Sequence, residues 1–412
     1  MVAPTSTPPT TRGALEQREA KLAWGLLAPT IAIVSLVILL PLLAIFWISF
    51  KPVGLSDLRP VSTVVRESLR SRGDDYRIEY RVRNSSQSKP IEGARFEDTI
   101  PDGVTLLEVP EACSLEGAAL ACEFGDLPGG FNERLRIPVS LDGDPDALED
   151  IVEGSEPVRY GTGDNVLTNT HFTLDNFTRI FDSSEFISVL WATTFYTVVG
   201  TIGALVVGLF AALLLNKSFA GKGILRGLYL FPYVSPIIAV AFTWVALLDP
   251  FSGSLNALLV QMGVTDSPIN FFGQRPQALI MVTVFEIWRY FPLSFLFILA
   301  RMQSIDTDMY EAADMDGASP FQKFWYLSLP MLLGILSVLF LLRFIWTFNK
   351  FDDIFLLTGG NAGTRTLTVN VYEQAFAISN IGAGAAVAVV IFAVLLCFSF
   401  FFFRYISQEE GL

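Results

Sequence analysis

Residues 22–50 read LAWGLLAPTIAIVSLVILLPLLAIFWISF and contain no charged side chain. A helix needs roughly 20 apolar residues to cross the hydrocarbon layer of a bilayer, because every backbone polar group must be satisfied within the segment. The run is far longer than the roughly 7–15 apolar residues of a cleavable signal peptide. We therefore predict a retained transmembrane helix at 22–50, preceded by a cytoplasmic tail at 1–21.

Five more apolar stretches follow, at about 189–215, 224–248, 277–300, 328–348 and 385–403. The chain is 52% hydrophobic and 17% charged, against about 25% charged residues in soluble domains. The sequence thus predicts an all-α polytopic membrane protein with six transmembrane helices. Its main helical core would span 189–406, and a cytoplasmic tail would follow at 407–412.

Basic residues beside the spans predict the orientation, because they favour the cytoplasmic side. They cluster in the N-terminal tail, in the connections between spans two and three and between spans four and five, and after span six (Arg12, Arg18, Lys21, Lys217, Lys222, Arg226, Arg301, Lys323 and Arg404). The connections 249–276 and 349–384 have few. Both termini are therefore expected in the cytoplasm, and residues 51–188 outside the cell.

Residues 51–185 form an acidic insert with 26 acidic and 14 basic side chains, a net charge of −12 out of −13 for the whole chain. Residues 76–83 alternate apolar and charged, and 135–141 repeat the apolar alternation. Short alternating strands separated by turns such as Pro101-Asp102-Gly103 predict a β-sandwich at 51–173. A membrane-surface helix is expected at 174–188, with its apolar residues at helical spacing.

Residues 96–141 resemble the immunoglobulin-like repeats of bacterial surface proteins in their Pro-Asp-Gly turn, two cysteines and closing strand. The insert could dock an external partner or act as a spacer, and the sequence leaves both open. Cys113 and Cys122 are a candidate disulfide, because an external location permits oxidation. Cys397 lies in an apolar run and is expected to pack there unbonded.

Several chemistries are disfavoured by composition. The chain has one histidine, His171, which argues against a zinc site or a histidine-based catalytic triad. No Gly-x-x-x-x-Gly-Lys-Ser/Thr phosphate loop occurs. We expect no metal, no catalytic residue, no cofactor bound by this chain and no nucleic-acid partner, so energy for any transport would come from another chain.

The connection 304–330 contains Glu311-Ala312-Ala313, then Gly317, then Leu327-Ser328-Leu329-Pro330. Met309 to Met315 is predicted to be helical, Gly317 to end that helix in a left-handed conformation, and Ser319-Pro320 to begin the next. This spacing resembles the loop that marks membrane subunits of binding-protein-dependent ABC importers. Residues 230–236, 249–256 and 344–360 are similar to the maltose-permease-like branch of that family.

The resemblance implies a type I importer permease in a bacterial or archaeal plasma membrane. It implies that Glu311, Ala312, Ala313, Asp316 and Gly317 couple the chain to ATP-binding subunits. The implied partners are two ATP-binding subunits, which use ATP and Mg²⁺, a second permease subunit, an external substrate-binding protein, membrane lipid and a sugar, such as an oligosaccharide or glycoside. Leu327 stands where the family commonly has isoleucine.

Charges inside a membrane are costly and so predict a functional site. Glu286 and Arg289 share a face of span four, and Arg343, Thr347 and Lys350 form a stripe on span five. By the resemblance, these positions and their neighbours line the sugar site; the candidates are Glu286, Arg289, Tyr290, Leu293, Ser294, Arg343, Thr347, Asn349 and Lys350. The alternative is a structural ion pair of Glu286 with Arg289 or Arg343.

Three other functions stay open at this point. The charges in spans four and five suit a sugar acid or another polar anion as well as a neutral sugar. An ion-driven secondary transporter would use Glu286 as its proton or sodium carboxylate, but it leaves the 304–330 loop unexplained. A non-transporting assembly or sensor protein would make the acidic insert its working part.

Overall fold

A computed structural model describes residues 14–72, 75–87 and 89–409. It divides into two compact units: a β-rich unit of Phe50–Leu174 with Ile378–Gly382, and a helical unit formed by the other described residues. The tail residues 1–13 and 410–412, including Arg12, lie outside the described part of the chain.

The helical unit begins with α1 (Ala14–Val34), which continues through a π-helical turn into α2 (Leu40–Ser49). The later helices are α4 (Asp175–Phe181), α5 (Phe186–Leu215), α6 (Lys222–Tyr229), α7 (Phe231–Val234), α8 (Ile237–Leu247), α9 (Ser254–Gln261), α10 (Gln277–Gln303), α11 (Thr307–Met315), α12 (Pro320–Lys323), α13 (Leu329–Phe348), α14 (Asp352–Thr358), α15 (Leu367–Tyr372) and α16 (Ile381–Glu409). The predicted surface helix at 174–188 is in part α4, and α5 already begins at Phe186.

Within the described residues, five helical segments are long and apolar enough to cross a membrane: Arg18–Ser49, Phe186–Leu215, Gln277–Gln303, Pro320–Phe348 and Ile381–Tyr405. The stretch predicted as span three differs from a straight helix, because Lys222–Val234 and Ile237–Leu247 are bent by 89°. Ser235 has an extended ψ of 144° there. The cause is Pro236, which disfavours the helical conformation at the preceding residue and has no N–H to donate.

Close packing of α5 against α10 organises the helical unit. A Cβ added at Gly200 would come within 3.0 Å of Glu286 Cγ, and one added at Gly208 within 2.8 Å of the Phe295 backbone nitrogen. Ala204 lies between these glycines and is fully buried. Small residues at four-residue spacing let two membrane helices approach closely, and this brings the polar residues of α10 near α5.

The described residues of the β-rich unit form eight antiparallel strands and the helix α3 (Pro145–Glu153). The strands are β1 (Thr63–Arg72), β2 (Asp75–Asn84), β3 (Ile91–Thr99), β4 (Val104–Leu106), β5 (Cys113–Glu116), β6 (Ala119–Leu127), β7 (Asn132–Leu141) and β8 (Val158–Gly163). One sheet has the order β1-β2-β7-β4 and the other β5-β6-β3-β8. The predicted β-rich insert is confirmed.

One apolar core is shared by both sheets of this unit. Ile78, Tyr80 and Val82 of β2 are fully buried and Phe96 of β3 packs with them, as the alternation on β2 predicts; Tyr76, the first predicted core residue, is only half-buried. A disulfide joins Cys113 to Cys122, which lie directly opposite each other on β5 and β6. Cys397, by contrast, is unbonded and exposed rather than packed.

Candidate functional site

The 304–330 loop consists of two capped helices. The Asp306 side chain accepts a hydrogen bond from the Asp308 N–H at the start of α11. At its end, Gly317 has φ +78° and donates to the Asp314 carbonyl, while the Ala318 N–H donates to that of Ala313. These two bonds are the Schellman arrangement that satisfies the last carbonyls of a helix. The predicted helix and left-handed glycine are confirmed.

Side-chain contacts hold this loop to the start of span five. Lys323 Nζ lies 2.5 Å from Asp314 Oδ1, and the Tyr310 and Ser328 hydroxyls are 2.9 Å apart. Ser319 and Gln322 form a capping box at the start of α12. The loop is therefore fixed at its base on α13, so a force applied to α11 would reach the membrane helix.

The outer surface of the loop is open. Glu311 and Ala312 are exposed and Ala313 is half-buried. Large apolar side chains next to them are also exposed, with Met315 at 89% and Phe321 at 72% of their surface. Exposed apolar residues of this size beside a charged one are typical of a protein-binding surface.

A polar cluster lies inside the helical bundle and is centred on Glu286 of α10, which is fully buried. Its carboxylate accepts hydrogen bonds from Arg343 Nη2 at 2.7 Å and the Thr347 hydroxyl at 2.9 Å, both on α13. The Tyr196 hydroxyl of α5 donates to the same carboxylate at 3.1 Å. Glu286 thus connects three membrane helices through one ion pair and two hydroxyls.

Arg289, which shares a helix face with Glu286, has different partners. Its guanidinium donates to the Pro232 carbonyl and to the Ser235 carbonyl, each at 3.0 Å. Those carbonyls lie where α7 ends and the bent pair of helices turns. Irregular backbone at membrane depth is tolerated only when its polar groups are satisfied, so Arg289 stabilises the bend.

A third group surrounds the Tyr290 ring. Lys350 Nζ lies 4.5 Å from the ring centroid, and the guanidinium carbon of Arg343 lies 4.7 Å from it. Lys350 also contacts the Tyr290 hydroxyl and lies 3.3 Å from Asp352 Oδ1. Tyr290 and Lys350 are half-buried, so they are more accessible than Glu286.

The remaining candidates lie at the edges of these groups. Leu293 is half-buried and Asn349 is exposed, with its amide donating to the Ile345 carbonyl. Ser294 is fully buried against Gly208, and its hydroxyl has no partner in the described structure. The structure therefore brings six of the nine residues into one region, where Tyr290 and Lys350 are half-buried and the other four are buried.

Two members of this region were missed by the sequence reasoning. Tyr196 lies on α5, which was treated as a uniformly apolar span, and the signal was its position four residues before Gly200 in a row of small residues. Asp353 is fully buried, and neither of its carboxylate oxygens has a hydrogen-bond partner among the described residues. Its place after span five made it look like an ordinary loop residue.

The β-rich unit has a buried polar cluster of its own. The Tyr80 hydroxyl donates to Asp98 Oδ2 at 2.6 Å, and the Ser155 hydroxyl contacts the carboxyl groups of both Asp98 and Glu67. Burial, together with the nearby Asp98, raises the pKa of Glu67 from 4.5 to about 8. No metal-binding group of three or more acidic, cysteine or histidine side chains exists in the described parts of the chain.

Long apolar helices around a buried polar cluster define a multi-pass membrane protein. The family described as "Binding-protein-dependent transport system inner membrane component" matches residues 204–409, and the chain belongs to this family. It is therefore an ABC importer permease, as the loop motif predicted. The Phe50–Leu174 part of the β-rich unit lies before the matched residues.

Individual relatives agree with this assignment. The chain is 34% identical over 230 residues to the inner membrane ABC transporter permease protein YcjO of Escherichia coli, covering 56% of this chain and 78% of that protein. It is 34% identical over 236 residues to the trehalose/maltose transport system permease protein MalF of Thermococcus litoralis, covering 56% and 78%. The sn-glycerol-3-phosphate transport system permease protein UgpA of Salmonella choleraesuis is 30% identical over 242 residues, covering 57% and 80%.

A solved structure supports the same fold. The crystal structure of a bacterial alginate ABC transporter in complex with an alginate pentasaccharide-bound periplasmic protein matches with a TM-score of 0.54 and 21% identity. The match covers 58% of this chain and 83% of that one. At this identity the likeness concerns the fold alone.

Proposed function

We propose that this permease imports a sugar that an external binding protein delivers. Two ATP-binding subunits would supply the energy, and a second permease subunit would complete the pathway. In this proposal the bent pair α6–α8 is the third of six spans, both termini are cytoplasmic, and residues 51–188 lie outside a bacterial or archaeal plasma membrane. The observation that carries the proposal is the capped, braced loop at 304–330.

The loop would work as a lever. Glu311, Ala312 and the exposed apolar residues beside them would contact an ATP-binding subunit. Because Lys323–Asp314 joins α11 to α12 and Tyr310–Ser328 joins α11 to the residue before α13, movement of that subunit would tilt α13 rather than bend the loop. Arg343 and Thr347 on α13 would carry the movement to Glu286 on α10. The polar region would then change the side of the membrane that it faces.

The accessible polar residues are the proposed sugar contacts. Tyr290, Asn349 and Lys350 combine an aromatic ring with hydrogen-bond donors, which suits a hydroxyl-rich ligand. Glu286, Arg343 and Thr347 satisfy one another, so their proposed role is to hold the three helices in register around the ligand.

A sugar acid is the second candidate ligand. Arg289 forms no ion pair within the described residues; its guanidinium donates to two backbone carbonyls and lies 5.7 Å from the Tyr290 ring centroid. A guanidinium that has no carboxylate partner would favour an anionic ligand. Thermal-shift measurements on the associated binding protein, with neutral sugars and with sugar acids, distinguish the two ligand classes.

An ion-driven mechanism has less support. Its proton or sodium carboxylate would be Glu286, but this carboxylate already accepts three hydrogen bonds, one from a guanidinium. These donors contact both carboxylate oxygens and leave little capacity for binding a second cation.

The variant Gly317→Asp tests the proposed coupling. Aspartate is strained at φ +78°, so the turn after α11 should change shape. We expect at least a tenfold loss of ATP-driven uptake in proteoliposomes, with ATP hydrolysis continuing but no longer responding to the binding protein.

Gly221→Asp is the matched control. Gly221 has φ +86°, and, like Gly317, it has nothing within 4 Å of an added Cβ. Both variants therefore introduce the same charge at a left-handed glycine with open space around it. Near-normal uptake by Gly221→Asp and loss in Gly317→Asp would support coupling, whereas normal uptake by Gly317→Asp would refute it.

A further inference from the structure

A polar cavity of about 310 Å³ lies in the helical unit, apart from the Glu286 cluster. Three separate parts of the chain line it: Ser184 to Val189 around the start of α5, Arg275 just before α10, and 360–365 after α14. In the orientation proposed above, all three belong to external connections.

Arg275 provides an unpaired positive charge in this cavity. Its side chain lies across Gly363, where an added Cβ would come within 2.3 Å of Arg275 Nε. The residue is exposed, and no carboxylate pairs with it in the part of the chain that the structure describes. Any side chain at position 363 would displace the guanidinium from this place.

The other arginine of the cavity, Arg365, already has carboxylate partners. Arg365 forms an ion pair with Glu185 and a second one with Glu373, whose Oε2 is 3.0 Å from its Nε. Both carboxylates therefore pair with Arg365, and although the two glutamates and two arginines together carry no net charge, no ion pair of the described residues includes Arg275.

The backbone beside Arg275 adds two hydrogen-bond donors. Ala362 and Gly363 have φ values of +52° and +81°, and the N–H of neither residue has a hydrogen-bond partner among the described residues. Residues 359–364 form a turn, and successive N–H groups in a turn can form a concave anion-binding site. Ser184 and Ser188 line the same cavity, and their hydroxyls form no hydrogen bond with the described residues.

We propose that this cavity binds a carboxylate, and that the carboxylate is an Asp or Glu side chain of the external binding protein. A guanidinium with adjacent N–H donors matches the two oxygens of a carboxylate. The cavity is at the lower end of the size range for small-molecule sites, which suits one side chain better than an oligosaccharide. This inference rests on the proposed orientation and on the dependence on a binding protein.

The test measures the affinity of the binding protein encoded with this permease for the assembled transporter in lipid nanodiscs. We expect Arg275→Glu to weaken binding about tenfold or more, because it replaces attraction by repulsion. Arg275→Lys keeps the positive charge and should weaken binding less than Arg275→Glu does. Replacing one acidic surface residue of the binding protein by lysine should restore binding to the Arg275→Glu transporter.

Arg179→Glu is the matched control, since Arg179 is an exposed arginine of α4 outside the cavity. An equal loss in Arg179→Glu and Arg275→Glu would overturn the site in favour of general electrostatic attraction. Unchanged binding by Arg275→Glu would overturn it directly. A wild-type transporter that binds no binding protein would instead refute the proposed function.

A second experiment distinguishes a carboxylate of the binding protein from that of a soluble acid. Glucuronate should leave the melting temperature of the wild-type transporter unchanged. If it raises that temperature, and Arg275→Glu abolishes the effect, the cavity takes a soluble acid and the docking proposal is wrong.

Discussion

The helical unit and the β-rich unit both bury carboxylates, but they stabilise them differently. Glu286 is fully buried and is matched by Arg343 and two hydroxyls. Glu67 and Asp98 share Ser155, and Tyr80 donates to Asp98, yet neither carboxyl forms an ion pair among the described residues. One cluster neutralises its charge with a cation, and the other has only hydroxyl donors.

The surroundings explain this difference. A bundle of membrane helices offers no water to an unpaired charge, and Glu286 has a cation and hydrogen-bond donors in place of water. Glu67 is only half-buried, so it can exchange a proton with the surrounding water. We therefore expect the first cluster to respond to loss of a partner and the second to respond to pH.

The largest effect on the stability of the folded protein is expected for Glu286→Ala. It leaves Arg343 buried without its counter-charge, which costs about 3–5 kcal/mol. The variant should melt at a clearly lower temperature than wild type in detergent or nanodiscs, as followed by tryptophan fluorescence.

The double variant Glu286→Ala with Arg343→Met is the control for this prediction. It removes both charges, so it should recover much of the lost stability. If the single variant melts like wild type, Glu286 does not hold the three helices together, and the contrast with the β-rich unit fails.

An intermediate effect is expected for Glu67→Gln. Because the pKa of Glu67 is raised in the folded state to about 8 from 4.5, the folded form binds more protons than the unfolded form between these values. Wild-type stability of the β-rich unit should therefore fall as pH rises from about 5 to 8. Glutamine mimics the protonated form and should remove this fall, a gain of about 1–2 kcal/mol at pH 8 after solvent screening.

Denaturant-dependent proteolysis of the full chain at pH 5 and pH 8 measures this difference. Glu92→Gln is the matched control, because Glu92 is an exposed glutamate on β3. An unchanged pH profile in Glu67→Gln would show that Glu67 does not carry the proton.

The smallest effect is expected for Tyr80→Phe, which removes one hydrogen bond to Asp98. The expected loss is about 1 kcal/mol, read by the same proteolysis experiment. Tyr76→Phe on the same strand is the comparison, because Tyr76 is half-buried and its hydroxyl forms no hydrogen bond with the residues that the structure describes. Equal effects in both variants would mean that the Asp98 contact contributes nothing of its own.

Much of the fold could be predicted from the sequence. The long uncharged run at 22–50 and the alternation at 76–83 reflect local rules, bilayer thickness and strand geometry, that hold whatever the rest of the chain does. Gly317 and Ser319-Pro320 are likewise local signals, and the turn and cap appear where they were expected.

The candidate site could be predicted from the sequence less completely than the fold. Four of its features depend on contacts between distant residues: the choice of Arg343 rather than Arg289 as the partner of Glu286, the bonds from Arg289 to the bend, the contribution of Tyr196, and the burial of Asp353. Spacing along one helix shows which residues share a face, but it does not show what another helix places opposite that face.

The amino-acid sequence by itself determined the membrane class, the β-rich insert, the capped loop and the family, since each depends on composition or on residues close together in the chain. Only the tertiary structure decided which buried charges pair, where span three bends, and which three loops enclose the Arg275 cavity. The physical reason is that pairing and enclosure depend on helices and loops far apart in sequence, and close packing at Gly200 and Gly208 sets how near they come.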